Sequence, residues 1–516
     1  MIVVSQRDIR DIKKTSELTN STNETLLMED VKMSRQIFSI SIILVFIVTV
    51  WCHAAIITVD ANGVADYNNI QAAINDANDG DTVLVAVGTY YENIDFRGKN
   101  IVLTSTDPND PTVVAATVID GNSLGRVVKF AGSENSSCTM TGVTITGGNI
   151  TGEIWASCGG GINGNGTDAT ILKCIIKDNW CDGYGGGLYY CQGIIEDCLI
   201  ANNFSLGSKG GGMADCSGYI VGCKVTENFA SYGSGMYNCC GEIVNCIISD
   251  NIYGPLGAFY VSSCDPSIST SISNCTIVRN EGVGVLSKYT SKIDIRNSII
   301  WDNTDRDMST DCSSKSAGYI TCNFSILQSD WQNNLCFTGS NNTVADPCFA
   351  DPCNGDFHLL SVAGRWDPNS QSWVIDANTS LAIDAGDPNA DYSLEPDWHG
   401  GRINMGAYGG TSEASKSPEC FPSDHPDYDE WVSVGRPYCW CYPRQCHGDT
   451  DNFATGDAKM GYTYVNAIDL TLFMTAWGSQ SHLLGLVFSG SQLCADLDHD
   501  KTGDDNVDIP ESLHLT

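Results

Sequence analysis

Six copies of one short pattern, Ile-x-x-Cys-x-aliphatic-x-x-Asn, constrain the fold of this chain more than any other feature. The Ile column is Ile171, Ile195, Ile220, Ile243, Ile272 and Ile295. Cys174, Cys198, Cys223, Cys246, Cys275 and then Ser298 follow, and two residues beyond them come Ile176, Ile200, Val225, Ile248, Ile277 and Ile300. Asn179, Asn203, Asn228, Asn251, Asn280 and Asn303 close the copies. Successive copies start 24, 25, 23, 29 and 23 residues apart, and the four columns hold register through the longest step. A fixed period of this size marks a solenoid, in which each coil buries its apolar side only against its neighbours.

Each copy carries only a short apolar run and no helix-length stripe, which excludes helical repeats and leaves strands separated by turns. Period-two alternation points the Cys and the aliphatic residue beyond it inward, with the mixed residue between them outward. The Ile lies an odd number of positions before the Cys, so a bend or bulge must intervene if both face inward. Glycine runs at 159–161, 185–187 and 210–212, with Gly233 and Gly235, suit tight corners. The Asn column suits corners too, where stacked amides bond from coil to coil. The fold expected is an all-β parallel β-helix. An antiparallel sandwich would not keep four columns in register over six copies.

The segment from Ile57 to Asn122 reads as a cap and first coils. Tyr67 to Asn78 forms an amphipathic helix with Ile70, Ala73 and Ile74 on its apolar face, ending at Asp79-Gly80. Strands follow at Thr82 to Val87 and Ile101 to Thr104. The pattern built by Gly80, Asp81, Val83, Val85, Gly88, Thr89, Tyr90 and Glu92 resembles the N-terminal cap of secreted right-handed β-helix proteins of the pectin-lyase-like superfamily. The resemblance covers roughly residues 57–410 and implies a right-handed solenoid with an N-terminal capping helix. It specifies architecture rather than reaction. A cap would shield sheet edges that an open first coil exposes. Residues 345–410 lose the regular spacing and read as the last coils plus a closing segment. On the same resemblance Asp384-Ala385-Gly386, Arg402-Ile403-Asn404 and Gly406-Ala407-Tyr408-Gly409 are structural closure.

The net charge of −35 argues against nucleic acid and anionic membrane surfaces. Ser34-Arg35, an apolar run from Ile37 to Trp51 and the exit Cys52-His53-Ala54-Ala55 have the parts of a signal peptide, with cleavage after Ala54. The run is short for a membrane span. Residues 1–32 read as a non-native extension ahead of a start at Met33, and residues 33–54 as the signal peptide of a secreted or cell-surface protein. Twenty-four cysteines in an exported chain raise disulfides as the first expectation. Stacked coils sit about 4.8 Å apart, so neighbours such as Cys174 and Cys198 are within bridging range. Free thiols packed as small hydrophobes are the other reading. Cys191, Cys216, Cys239 and Cys264 form a second column.

After a polar linker at 411–445, residues 446–516 hold two similar halves. Asp449 and Asp451 lead to Asn466 and Asp469; Asp496, Asp498 and Asp500 lead to Asp508 and Glu511. Alternating carboxylates completed by an acid at a helix start supply the oxygens calcium needs. The duplication resembles a type I dockerin, which implies two calcium sites on those residues and docking on a cohesin-like partner. Asn466 and Asp508 would take the water-mediated position. The loops depart from the usual 12 residues, spanning 21 from Asp449 to Asp469 and 16 from Asp496 to Glu511. Phe453 stands where the first loop should carry an acid, and the second helix ends after one turn at Thr516.

Within the solenoid, Asp178, Asp250 and Asp302 share the column just before the Asn ladder, with Asn202, Glu227 and Arg279 at the intervening positions. The row is a candidate calcium or sugar site, and equally a solvated turn edge. Tyr189, Tyr190, Tyr219 and Tyr237 are candidate sugar-stacking residues. A lyase needs calcium-binding acids and a base, a hydrolase clustered carboxylates, and no such set stands in register. Three functions stay open. The first is an extracellular β-helix binding or acting on polysaccharide and tethered by its tail. The others are a non-catalytic surface adhesin and a divergent polysaccharide lyase.

Overall fold

The computed structural model describes residues 54–418, apart from Trp155, Ser208, 254–255, 265–268, 312–317, 330–335 and 398–399. The chain divides into Met1–Ile56, of which only 54–56 are described, and Ile57–Thr516, which holds the fold. All but the last residue of the expected signal peptide, most of the expected linker and the whole of 446–516 lie outside the described residues. No helix among the described residues is long and apolar enough to cross a membrane.

Three parallel sheets of 12, 11 and 9 strands run the length of a β-solenoid. The Ile column pairs residue for residue in the first sheet, Ile171 to Ile195 and on through Ile220, Ile243 and Ile272 to Ile295. Ile176, Ile200, Val225, Ile248, Ile277 and Ile300 do the same in the second. The third aligns Ile162, Leu188, Met213, Met236, Phe259, Val285 and Met308. All of these point inward and form one continuous core.

The bend required between Ile and Cys is a single left-handed residue. Lys173, Asp197, Gly222, Asn245, Asn274 and Asn297 have φ of 48 to 63°, a region Asn, Asp and Gly enter most readily. Each Cys then turns its thiol back on the corner. Cys174, Cys198, Cys223, Cys246 and Cys275 donate to the carbonyl two residues earlier at 3.2–3.4 Å. Ser298 makes the same bond to Arg296 at 2.7 Å, which explains why Ser can end the column. All five ladder thiols are free and buried. In the second column Cys191, Cys216 and Cys239 are free, and Cys264 bonds Cys240 instead.

The next corner belongs to the Asn ladder. Asn203, for example, donates from Nδ2 to Asn228 Oδ1 at 3.0 Å and to the Ile176 carbonyl at 2.9 Å. The same rung repeats from Asn179 to Asn303. At the glycine corner coils approach so closely that a Cβ on Gly186 would lie 2.6 Å from the Gly211 and Phe204 carbonyl oxygens.

Helix α1 (Ile70–Asp76) covers the first coil. It is shorter than its pattern predicts, because Tyr67 is engaged in a bridge to Val59 and Asn69 serves as N-cap. Glu92 accepts from the Ile70 and Gln71 amides at 2.7 and 2.9 Å, favourable at a helix N-terminus. Lys99 Nζ donates to the carbonyls of Ile74, Asn75 and Ala77 at the other end. The two expected strands are found at Thr82–Val85, two residues shorter than expected, and Val102–Ser105, one residue later.

Parallel pairing ends at Phe337–Thr338 and Thr343–Val344. From there the chain makes two antiparallel hairpins, Phe349–Asp351 with Asp356–Leu359 and Arg365–Asp367 with Ser372–Val374. This segment folds back along the outer face of the second sheet. Phe357 and Ala407 pack on Ile247 and Val278, while Leu359, Ala382, Ile383 and Met405 pack on Ile299 and Ile326. Asn245 Nδ2 donates to the Ala407 and Gly409 carbonyls at 2.8 Å, tying corner to clasp.

Candidate functional site

Asp178, Asn202, Glu227, Asp250, Arg279 and Asp302 occupy consecutive coils, each left-handed with φ between 52 and 57°. Inter-strand spacing of about 4.8 Å puts Asp178 and Asp250 roughly 14 Å apart, and Asp250 and Asp302 roughly 10 Å. The three sequence-predicted acids therefore share a ridge without converging. Asp178 accepts from Asn202 Nδ2 and lies 3.8 Å from Lys177 Nζ. Asp250 accepts from Arg279 Nε at 2.8 Å. Among the described residues no group of three or more His, Cys, Asp or Glu is placed to hold a metal ion. The predicted tail ligands Asp449, Asp451, Asp469, Asp496, Asp498, Asp500, Asp508 and Glu511 lie outside the described residues.

Beside the ridge runs a stack of four rings, Trp180, Phe204, Phe229 and Tyr253, with centroids 3.8, 4.3 and 4.7 Å apart and planes within 13° of parallel. Their faces are spent on one another, so the inner rings have none left for a sugar. The sequence carried a signal for this stack: an aromatic residue directly follows Asn179, Asn203 and Asn228. The tyrosines singled out for sugar stacking divide. Tyr237 is buried and bonded to Ser262, with Lys209 Nζ 4.9 Å from its ring centre. Tyr189 is half-buried, and Tyr190 and Tyr219 are exposed singly.

The concavity lies where the ridge meets the folded-back segment. A cavity of about 360 Å³ is lined by Val278, Arg279, Trp301, Asp302, Asp346, Cys348, Phe349, Pro352 and Leu360. The solenoid supplies Val278, Arg279, Trp301 and Asp302, and the folded-back segment from Asp346 to Leu360 supplies the rest. Arg279 spans the two, bonding Asp250 and reaching Cys353 Sγ with Nη1 at 3.6 Å. Asp302 donates its backbone N–H to Gln328 Oε1 at 2.9 Å. The Gln328 amide in turn bonds Asp307, a buried acid whose pKa burial raises to about 6. Asp346 is fixed by the Cys348 amide, which donates to Oδ1 at 2.8 Å.

Within the clasp, buried His358 ties Asp356 to Glu413. Its Nδ1 lies 2.6 Å from Asp356 and its Nε2 3.3 Å from Glu413, with Tyr408 stacked on its ring. Desolvation opposes the imidazolium, but the two carboxylates prevail and raise its pKa. Glu395, which accepts from the Asn404 and Gly410 amides, is pushed up to about 7 by burial.

Fold and site together define a mostly β parallel solenoid with a flank cavity closed by a C-terminal clasp. A family model described as "Disaggregatase related" matches residues 264–386, a stretch that includes every cavity-lining residue. No curated protein matches. Among solved structures the chain is similar to pectate lyase Pel9A, with 15% identity and a TM-score of 0.41 over 70% of this chain and 97% of that one. It is also similar to a pectin methylesterase mutant in complex with a hexasaccharide (12%, 0.29, 49% and 93%) and to pectin methylesterase from carrot (12%, 0.26, 56% and 83%). The architecture assigned here rests on this chain's own strand pairing.

Proposed function

We propose that this is a secreted right-handed β-helix protein that binds polysaccharide in the flank cavity, with the corner ridge as its approach. The observation that carries the reading is the cavity itself. It is an oligosaccharide-sized concavity with aromatic walls from Trp301 and Phe349 and convergent polar groups from Arg279, Asp302 and Asp346. The right hand is the one expected for parallel crossover connections. Binding is favoured over cleavage because Arg279, the basic side chain in the lining, is paired to Asp250 and so held protonated, unable to accept a sugar proton. The tail at 446–516 would bind calcium and tether the solenoid to a cohesin-like partner or the cell surface, a reading supported by its duplicated acidic loops.

The test is to present the full chain with acidic, neutral and amino polysaccharides, with calcium and with chelator. Bound glycan, unsaturated product and new reducing ends are measured together. Retention of a glycan without turnover, weakened by Trp301→Ala, is expected. Calcium-dependent unsaturated product would replace this reading with a lyase. No retention of any glycan would return the protein to a structural or adhesive role.

A further inference from the structure

The charge and hydrogen-bond inventory of the cavity identifies the kind of sugar it fits. Asp302 stands at the rim with its backbone N–H engaged by Gln328, and among the described residues no donor bonds its carboxylate. Asp346, also exposed, receives only the Cys348 amide among the described residues, on Oδ1, which leaves Oδ2 open. The one cation in the lining, Arg279, has its charge offset by Asp250 at 2.8 Å and a further N–H directed to Cys353. The other lining residues, Val278, Trp301, Cys348, Phe349, Pro352 and Leu360, are uncharged or apolar. The site thus offers acceptors and negative charge on an aromatic floor. Its complement is a ligand with an apolar ring face that donates hydrogen bonds and carries positive charge.

We infer that the cavity selects glycans bearing free primary ammonium groups, that is amino sugars, over uronides. The inference rests on the glycan-binding reading above and sharpens it. A uronate would set its carboxylate against Asp302 and Asp346. A bridging cation would relieve that repulsion, yet among the described residues no group of three or more acids, His or Cys is placed to hold one. Both acids are exposed, so each is expected to contribute only about a two- to fivefold preference at low salt. Together they give roughly tenfold between an ammonium-bearing and an uncharged sugar of the same shape, and a similar factor again against a uronide.

Calorimetric titration of the full chain tests this with three hexamers: glucosamine, its fully N-acetylated counterpart, and galacturonate with and without calcium. The expected order of affinity is glucosamine, then N-acetylglucosamine, then galacturonate, with the first preference shrinking as salt rises. Asp302→Asn together with Asp346→Asn should remove the preference, bringing the affinities for the glucosamine and N-acetylated hexamers together. Both positions are exposed, so these isosteres spare the fold, which far-UV circular dichroism checks. Galacturonate binding as tightly as glucosamine, in either calcium condition, would overturn the selectivity and leave glycan binding standing. Failure of all three hexamers to bind would overturn both readings.

Discussion

Replacing Asn228 by Asp tests the ladder, because the change preserves shape while removing two donated hydrogen bonds. Asn228 is fully buried. Its Nδ2 donates to the Ile200 carbonyl at 2.9 Å and to Asn251 Oδ1 at 3.0 Å. Its Oδ1 accepts from the Asn203 amide and from Asn203 Nδ2 at 2.9 and 3.0 Å. A carboxyl keeps the second pair and loses the first, setting an oxygen against two buried acceptors. Each unsatisfied group costs about 1–3 kcal/mol, so a loss of about 4 kcal/mol is expected at neutral pH, before any penalty for the buried charge. With urea slopes of about 1–3 kcal/mol/M, and larger for a chain of this size, the unfolding midpoint should fall by about 1 M. Burial raises the folded-state pKa of the introduced group above its unfolded value of about 3.9. The defect should therefore be smallest below pH 4, where a protonated carboxyl restores one donor, and reach its full size as pH rises through the folded value. Asn303→Asp is the internal control, since among the described residues Asn303 Nδ2 bonds only the Ile277 carbonyl and about half the loss is expected. A neutral-pH midpoint within 0.3 M of the parent's for Asn228→Asp, set on the same slopes, would refute the ladder argument. So would a larger loss at Asn303.

Cys223→Ser should change stability by less than about 1 kcal/mol, because Ser298 already fills the same corner role; a loss above about 3 kcal/mol would mean the thiol's packing outweighs its bond to Val221. In the native protein exposed Cys353 should react with a thiol reagent well before the buried ladder thiols, as mass spectrometry of labelled peptides would show. The clasp should loosen with alkali. His358 and Glu395 both have folded pKa values raised above their ordinary ones, so their stabilisation is complete below the ordinary values and lost as pH rises through the raised ones, about 7 for Glu395. Hydrogen exchange across 400–410, corrected for its intrinsic rise with pH, should quicken between pH 6 and 8, on the window set by that value. Glu395→Gln should flatten the change.

The core was legible because it is periodic and local. A column recurring every coil states which residue faces in, and the odd Ile-to-Cys step required a bend or bulge, which the structure supplies as a left-handed residue at Lys173 and its equivalents. The Asn column announced its corner in the same way. Glu92 was legible as part of a cap motif, though its action on the Ile70 and Gln71 amides appears only in three dimensions. The clasp was opaque for the opposite reason. Asn245 bonds the carbonyl of Ala407, 162 residues away, and nothing periodic encodes a contact used once.

The same contrast explains why the acidic row drew notice in the sequence and the cavity did not. Corner residues of a solenoid stand on a convex ridge at a spacing set by the sheets. Acids repeated there hold their distance whatever their chemistry, and Asp178, Asp250 and Asp302 stay roughly 10 Å or more from one another. Convergence needs a second layer that breaks the repeat. The hairpin from Phe349 to Leu359 provides it, setting Asp346 and Phe349 beside Asp302 and Trp301. Of the row, Arg279 and Asp302 line the cavity. The repeat builds the wall, and the departure from the repeat creates the place where chemistry can gather.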